Sequence, residues 1–172
     1  LSERTNSKSI NFDRFIREKN LEDANDDTQI ISLIHALSQE IAPLVMIEDF
    51  PKTCYQAQFF LKNGCDPSRV FVLNCAKDFS QERMLSVPET SEWYLPSSLL
   101  SKKIGIYNQN LRDLLPFLRT HTTCTEISTE GTTKAAFKEM CTFIEPTIIN
   151  VRSPSSTPSS PMPFHVCYWL RP

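Results

Sequence analysis

The sequence predicts an α/β domain, a three-layer arrangement in which a parallel sheet lies between flanking helices. Two short unbroken apolar runs, Leu44–Ile47 and Val70–Cys75, are typical of strands that are covered on both faces. Segments with helical periodicity alternate with these runs, which favours right-handed crossovers between parallel strands. With 172 residues, 40% of them hydrophobic and 22% charged, the chain fits one globular domain and some tail.

The first half of the chain is predicted to hold three helices. A short helix covers Phe12–Lys19, and a helix over Tyr55–Leu61 ends near Gly64, which suits a left-handed C-terminal cap. The clearest helix lies between them, capped by the polar residues 25–27 and ended by Pro43. Its apolar residues recur at spacings of three and four, which predicts one inward face: Ile30, Ile31, Leu33, Ile34, Leu37 and Ile41.

The second half is predicted to continue the alternation. A helix over Phe79–Leu85 is followed by a loop over Ser86–Ser98 that contains two prolines. A longer helix is expected over Leu99–Leu118, and Pro116 should kink or fray its last turn. A third strand over Thr123–Ser128 and a last helix over Thr132–Ile144 complete the predicted elements, listed in chain order.

Composition divides the chain into three parts. Residues 1–11 form a polar leader without clear pattern, and residues 12–150 form the domain. Residues 151–172 are rich in Pro and Ser and predict a flexible tail. The tail ends in apolar residues, among them Tyr168, Trp169 and Leu170, which dock either on the domain or on a partner. The sequence leaves these two alternatives open.

Charge and glycine content exclude several function classes. A net charge of −2 argues against a duplex nucleic-acid binder, and no apolar run has the length of a membrane span. Six cysteines without a C-x-x-C pair indicate reduced thiols of a cytoplasmic protein. The only glycines are Gly64, Gly105 and Gly131, so neither a G-x-x-x-x-G-K-[ST] loop nor a G-x-G-x-x-G turn is present.

One run of residues resembles a known family. In adenylate kinases and related nucleoside-monophosphate kinases, a buried strand ends in D-G-F-P-R-[ST] and a helix bearing Q-A follows. Here Leu44–Gln58 reads LVMIEDFPKTCYQAQ. The resemblance spans residues 12–146, with no counterpart for the family's first strand and first helix. It continues in order through Asp66–Asn74, Asp78–Arg83, Tyr107–Leu118, Glu126–Gly131 and Phe137–Ile144. It therefore implies an incomplete adenylate-kinase-like core of the P-loop kinase type.

The resemblance assigns five residues to a nucleotide site. Glu48 would orient water around a Mg²⁺ ion that bridges the phosphates, and Lys52 would hold the monophosphate. Gln56 would bind the edge of the monophosphate's base, and Arg83 would pack against the base of ATP. Lys103 stands where the family uses Arg against the transferring phosphate. ATP and AMP with Mg²⁺ are the implied ligands if this site is retained; no cofactor is implied otherwise.

Departures from the family pattern argue against catalysis by this chain alone. Asp49 replaces the family's turn glycine, and a like charge about 4 Å from a phosphate opposes binding by about 4 kcal/mol at an effective dielectric of 20. Lys52 replaces an arginine, so bidentate phosphate binding is lost. The family's lid is reduced to Ser86–Ser98, which contains no Arg or Lys, and the phosphate loop is absent.

Each carried-over residue also has a purely structural interpretation. Glu48 and Asp49 would lie at a solvated strand end, and Lys52 would pair with Asp49 or cap a turn. Gln56 would lie on an exposed helix face. Arg83 would pair with a neighbouring acid at position 78 or 82. Because the family's first strand has no counterpart, the sheet is also expected to have an unpaired, largely apolar position.

Three functional hypotheses follow. The first is a non-catalytic adenylate-kinase-like module of a larger protein, acting in assembly or weak nucleotide sensing, with protein partners or other domains of the parent chain. Since degenerate domains of this family occur in ciliary and flagellar proteins, the resemblance implies a cytoplasmic location with the axoneme as a candidate. The second is part of an active nucleoside-monophosphate kinase whose phosphate loop lies outside this stretch. The third is a likeness of fold alone to another P-loop-type domain.

Overall fold

The structure is a computed structural model that describes residues 7–42, 44–76, 79, 82–83, 85–91, 94, 96–151 and 165–170. Strands and helices alternate through most of this range. In chain order they are β1 (Ser7–Asn11), α1 (Phe12–Glu18), α2 (Asp26–Ser38), β2 (Leu44–Glu48), α3 (Cys54–Lys62), β3 (Arg69–Asn74), α4 (Ser97–His121), β4 (Cys124–Ser128), α5 (Thr133–Val151) and β5 (His165–Leu170).

The five strands form one parallel sheet in the order β1-β2-β5-β3-β4. The two apolar runs predicted as buried strands are confirmed as β2 and β3. These strands follow each other along the chain but do not pair. β5 lies between them, with His165 in register with Leu44 and Cys167 with Arg69. The mixed α/β class and the parallel pairing therefore agree with the prediction.

The direction of each crossover explains where the helices lie. From β1 to β2, β2 to β3 and β3 to β4 the chain moves in one direction across the sheet, whereas from β4 to β5 it moves back. Right-handed crossovers that run in opposite directions place their helices on opposite faces. Accordingly, α1 to α4 contribute to one core cluster and α5 contributes to another.

Alternate residues of the inner strands divide between these two clusters. Val45 and Ile47 of β2 face the first cluster, and Met46 faces the second. In β3, Phe71 lies in the second cluster with residues of α5. Val70 and Val72 lie in the first cluster with residues of α3 and α4. Two-residue alternation with apolar side chains on both faces is what a strand between two helical layers requires.

The leader contains a strand that the sequence did not predict. Ser7–Asn11 pairs with β2 at the edge of the sheet, from Ser7 opposite Leu44 to Asn11 opposite Glu48. An edge strand has only one neighbour and needs little apolar surface, so its polar sequence gives no clear signal. Residues 1–6 lie outside the described part of the chain.

Two predictions about helices are corrected. In α2, Ile30, Leu33 and Leu37 are buried as predicted. Ile31 and Ile41 are not, since Ile31 is 53% exposed and Ile41, which lies beyond the end of the helix, is 96% exposed. Helix α4 contains Pro116 and continues to His121, past the predicted end at Leu118. The last turns of α4 are held by Leu118, which is buried in the first cluster, and by the bond from the Thr122 N–H to the Leu118 carbonyl.

The predicted tail differs in part from the structure. Helix α5 extends to Val151, past the predicted end at Ile144. The last six described residues form β5 in the middle of the sheet, so of the two docking alternatives the structure places this segment on the domain. The expected unpaired position is accordingly filled. Residues 152–164, and much of the helix predicted over Phe79–Leu85, lie outside the described residues.

Among the helices of the described ranges, none is both long enough and apolar enough to cross a bilayer.

A matched pair of substitutions in α2 tests the orientation of the helix. Leu37 is fully buried and Ile31 is half exposed on the same helix. We expect Leu37→Ala to lower the free energy of unfolding by about 2–5 kcal/mol because it leaves a cavity, whereas Ile31→Ala should change it by less than about 1 kcal/mol. Urea unfolding followed by circular dichroism measures both. Equal losses would contradict the placement of α2.

Candidate functional site

The carried-over residues Glu48, Lys52 and Gln56 come together where β2 ends and α3 begins. All strands are parallel, so this turn lies at the carboxyl edge of the sheet, where ligands bind in open α/β folds. Asp49 has a φ of 60° and the Phe50–Pro51 peptide bond is cis. Phe50 is fully buried, in ring contact with Phe12 and Phe60, which anchors the turn to the core.

Residues of β1 satisfy the two carboxylates at the end of β2. The Ser9 hydroxyl donates a hydrogen bond to Glu48 Oε1 at 2.7 Å. The Asn11 side-chain amide donates to Asp49 Oδ2 at 2.8 Å. Both carboxylates are therefore engaged by the neighbouring strand, whereas the sequence suggested only a solvated strand end.

Lys52 forms an ion pair with Asp13 at the start of α1. This pairing differs from the partner considered for it in the sequence, which was Asp49. Both side chains remain about half exposed, 43% for Lys52 and 54% for Asp13. An ion pair at this exposure contributes at most about 1 kcal/mol to stability. It nevertheless gives the ammonium group an internal partner at the place where the resemblance implies a phosphate.

Gln56 is buried, at 5% exposed, which corrects its expected place on an exposed helix face. Thr53 is the N-cap of α3, and its hydroxyl accepts the Gln56 N–H at 3.2 Å. The Gln56 amide oxygen in turn accepts the Lys52 N–H at 2.8 Å, and its Nε2 donates to Asp26 of α2 at 3.2 Å. These bonds form a variant of the capping box, in which a Gln at the third helical position reaches back to the start of the helix.

Arg83 lies elsewhere, beside the loop that follows β4. Its guanidinium donates a hydrogen bond to the Gly131 carbonyl at 2.7 Å and lies 4.7 Å from the centroid of the Phe79 ring. Neither contact is with an acid; of the two acids that the sequence suggested, residue 82 is described, whereas residue 78 lies outside the described residues. Stacking on Phe79 is a cation–π contact, and Phe79 is itself 37% exposed.

Lys103 is exposed on the amino-terminal half of α4 and does not belong to the β2–α3 turn. The structure therefore brings together three of the five carried-over residues, and it places Arg83 and Lys103 on other elements. Within the described residues, no group of three or more His, Cys, Asp or Glu side chains is arranged to hold a metal ion. A single carboxylate acting through water, as implied for Glu48, is a weaker kind of site that this finding does not address.

The side chains of this network carry mostly negative charge. Four carboxylates, those of Asp13, Asp26, Glu48 and Asp49, accompany the single ammonium of Lys52. Two like charges at 4 Å repel by about 1 kcal/mol even in bulk water, and by more where solvent is partly excluded. The arrangement therefore opposes the approach of a phosphate group.

Cys54 and Tyr55 in the first turn of α3, and Cys65 beyond its end, have raised pKa values. The hydrogen bond from its hydroxyl to Asp27 is the main cause that raises the pKa of Tyr55. Burial raises the pKa of the Cys54 thiol, with Asp113 as a second cause, and burial raises the pKa of Cys65 to about 12. Five cysteines are free thiols, namely Cys54, Cys65, Cys75, Cys124 and Cys141, and the direction of these shifts disfavours the reactive thiolate.

Sequence reasoning missed the side chains that complete this network, namely Asn11, Asp13 and Asp26. All three belong to elements that precede β2, and their relation to the turn depends on how β1 and α2 pack. One signal was available, since Thr53-x-x-Gln56 has the spacing of a capping box. That pattern gives Gln56 a folding role that does not depend on any ligand.

Comparison of the sequence with protein-family models finds no match, and a search of curated proteins finds no similar one. The functional argument therefore rests on the resemblance of residues 12–146 and on the geometry of the turn.

The capping role of Gln56 can be tested against its neighbour Gln58, which is exposed on the same helix. We expect Gln56→Ala to lower the free energy of unfolding by about 1–3 kcal/mol, because the Lys52 N–H loses its acceptor inside the fold. Gln58→Ala should change it by less than about 0.5 kcal/mol. Chemical denaturation of the three proteins measures the difference, and similar values for both variants would exclude a capping role.

The left-handed backbone at Asp49 gives a second prediction. Only glycine adopts a φ of 60° without steric cost, and both Asp49→Gly and Asp49→Ala remove the hydrogen bond from Asn11. We expect Asp49→Ala to be about 1 kcal/mol less stable than Asp49→Gly. Melting temperatures of the two variants provide the comparison. A more stable alanine variant would show that the strain at position 49 is absent in solution.

Proposed function

We propose that this chain is a non-catalytic, adenylate-kinase-like module of a larger protein, which acts in assembly or weak nucleotide sensing. Its partners are proteins or other domains of the parent chain, in the cytoplasm, with cilia or flagella as the candidate setting. The proposal includes the finer fold assignment, an incomplete P-loop kinase-like core of three layers. It rests on the resemblance of residues 12–146 together with the geometry of the β2–α3 turn.

A single observation carries the proposal. The groups at the β2–α3 turn that would hold a monophosphate are already bonded to the elements that precede them. Lys52 pairs with Asp13, and Gln56 bonds both to Asp26 and to the Lys52 backbone. For a nucleotide to bind, these contacts would have to break, and the four nearby carboxylates would still oppose its phosphate.

The missing phosphate loop supports the same conclusion. Phosphoryl transfer depends on positioning and on charge neutralisation by a backbone cradle, Mg²⁺ and several cations acting together. This sequence contains no glycine-rich loop, and Arg83 and Lys103 lie on elements other than the β2–α3 turn. An active kinase would need these parts from residues outside the 172 of this chain.

A nucleotide titration tests the proposal. We expect ATP, AMP and a bisubstrate dinucleotide, each with Mg²⁺, to leave the melting temperature unchanged at concentrations below about 100 μM. A ligand at 100 times its Kd would stabilise the fold by about 2.7 kcal/mol, which corresponds to a rise of several degrees for a domain of this size. A saturable rise at micromolar ligand would exclude pure assembly and favour nucleotide sensing.

Activity separates the module from a kinase. The chain should not convert ADP into ATP and AMP. If it does, Lys52→Ala should abolish the reaction, whereas Lys62→Ala, a change of an exposed lysine at the end of α3, should leave it unchanged. That pattern of results would overturn the proposal, since it would assign Lys52 to phosphate binding despite its pairing with Asp13.

A further inference from the structure

Strand β5 pairs with strands that are much farther away in sequence than the strands of the other two ladders are from each other. Its register joins Leu44 to His165 and Arg69 to Cys167, whereas β1 pairs with β2, and β3 with β4, over much shorter stretches. Pairing of distant segments forms late, because the entropy of closing the loop must be overcome first. β5 is therefore expected to enter the sheet last and to leave it first.

The rest of the domain is connected without β5. Helix α3 links β2 to β3, and its residues Ala57 and Phe60 pack in the same core cluster as Val45 of β2 and Val70 of β3. The β1–β2 and β3–β4 ladders are independent of β5. When β5 leaves, two strand pairs remain, held together by helices, with the inner edges of β2 and β3 facing each other. We call these two edges (Leu44–Glu48 and Arg69–Asn74) the strand slot.

The chemistry of the strand slot defines what it accepts. Its edges present backbone N–H and C=O groups that must be paired when buried. The side chains along them, such as Ile47, Phe71 and Val72, are at most 1% exposed with β5 in place. The slot therefore fits an extended strand that runs parallel to both neighbours, and β5 (HVCYWL) shows the sequence character that it takes.

We propose that the strand slot is an interaction site for a second copy of this chain, and that two copies exchange β5. Exchange reproduces every ladder contact of the single chain, so its enthalpic cost is small. The connecting residues 152–164, about 13 in number, reach at most about 45 Å when extended, which allows β5 to enter a neighbouring molecule. This inference rests on the assembly part of the proposed function and names its partner.

Concentration decides between the closed chain and the exchanged pair. A strand tethered by a short linker competes with an effective concentration on the order of millimolar. The closed chain is therefore favoured in dilute solution, and exchange is favoured where many copies are held close together. A module that is repeated or arrayed along a larger structure meets that condition.

Mixing of two labelled forms of the full chain tests the exchange. Chains with natural and heavy nitrogen are combined at about 200 μM, warmed to the onset of melting, cooled and measured by native mass spectrometry. Because this concentration lies below the effective concentration of the tethered strand, we expect a minor but measurable fraction of mixed dimer. Tyr168→Pro, which removes a ladder N–H in the middle of β5, should lower the dimer at least tenfold. Ser155→Pro, the same change outside the strand, should not lower it.

A peptide of residues 160–172 gives an independent readout on the unaltered chain. In tenfold excess it should reduce the mixed dimer and bind one per chain, while the same peptide with Pro at position 168 should do neither. If the Tyr168→Pro variant fails to fold, the peptide experiment tests the exchange of β5 by itself. Absence of a mixed dimer, a dimer that survives Tyr168→Pro, or failure of the peptide to compete would each overturn the exchange. None of these results depends on nucleotide, so the titration above remains a separate test.

Discussion

The arrangement of this domain depends on the two parallel ladders that β5 makes with β2 and β3. These two strands follow each other in sequence but face each other across a strand's width, so neither can satisfy the other's backbone groups. An unpaired backbone group inside a domain has a free-energy cost similar to that of a lost hydrogen bond. The segment that satisfies both edges comes from the far end of the chain. Closure of the five-stranded sheet therefore requires the last described segment to return to the middle of the chain.

The β2–α3 turn shows how the needs of folding and of ligand binding can use the same residues. A helix that begins beside a strand end needs acceptors for its first N–H groups, and Thr53 and Gln56 supply them. A nucleotide site at the same place would need polar groups that point outward. Here Lys52 bonds to Asp13 of α1 and Gln56 to Asp26 of α2, so these side chains serve the fold.

Much of the fold could be predicted from the sequence, because its strongest signals are local. Unbroken apolar runs identified β2 and β3. Asn25 was one of the residues predicted to cap α2, and its side chain does so by accepting a hydrogen bond from the Thr28 N–H. The polar strand β1 was not predicted, because an edge strand needs few apolar side chains and its sequence therefore lacks a hydrophobic pattern. β5 was assigned to a tail because the Pro- and Ser-rich residues before it dominate the composition, and only its place between β2 and β3 reveals its role.

The site was less predictable, for a physical reason. Which residues flank the turn follows from sequence order, but which groups Lys52 and Gln56 contact depends on the packing of α1 and α2. Asp13 and Asp26 lie more than twenty residues earlier in the chain, and no local pattern connects them to the turn. The resemblance to a kinase family indicated which positions to examine, whereas the contacts of those positions are a property of the folded chain.

Parallel strands also decide how the domain would respond to tension. Ser7 begins the edge strand β1 at the amino end of the strands, and Leu170 ends the central strand β5 at their carboxyl end, with all strands pointing the same way. A pull between these two points acts along the strands and loads the β1–β2 and β2–β5 ladders in shear. Shear must break many hydrogen bonds together, while a perpendicular pull opens them one at a time. The domain is thus built to resist stretching between residues 7 and 170 far better than peeling of β1 from the side.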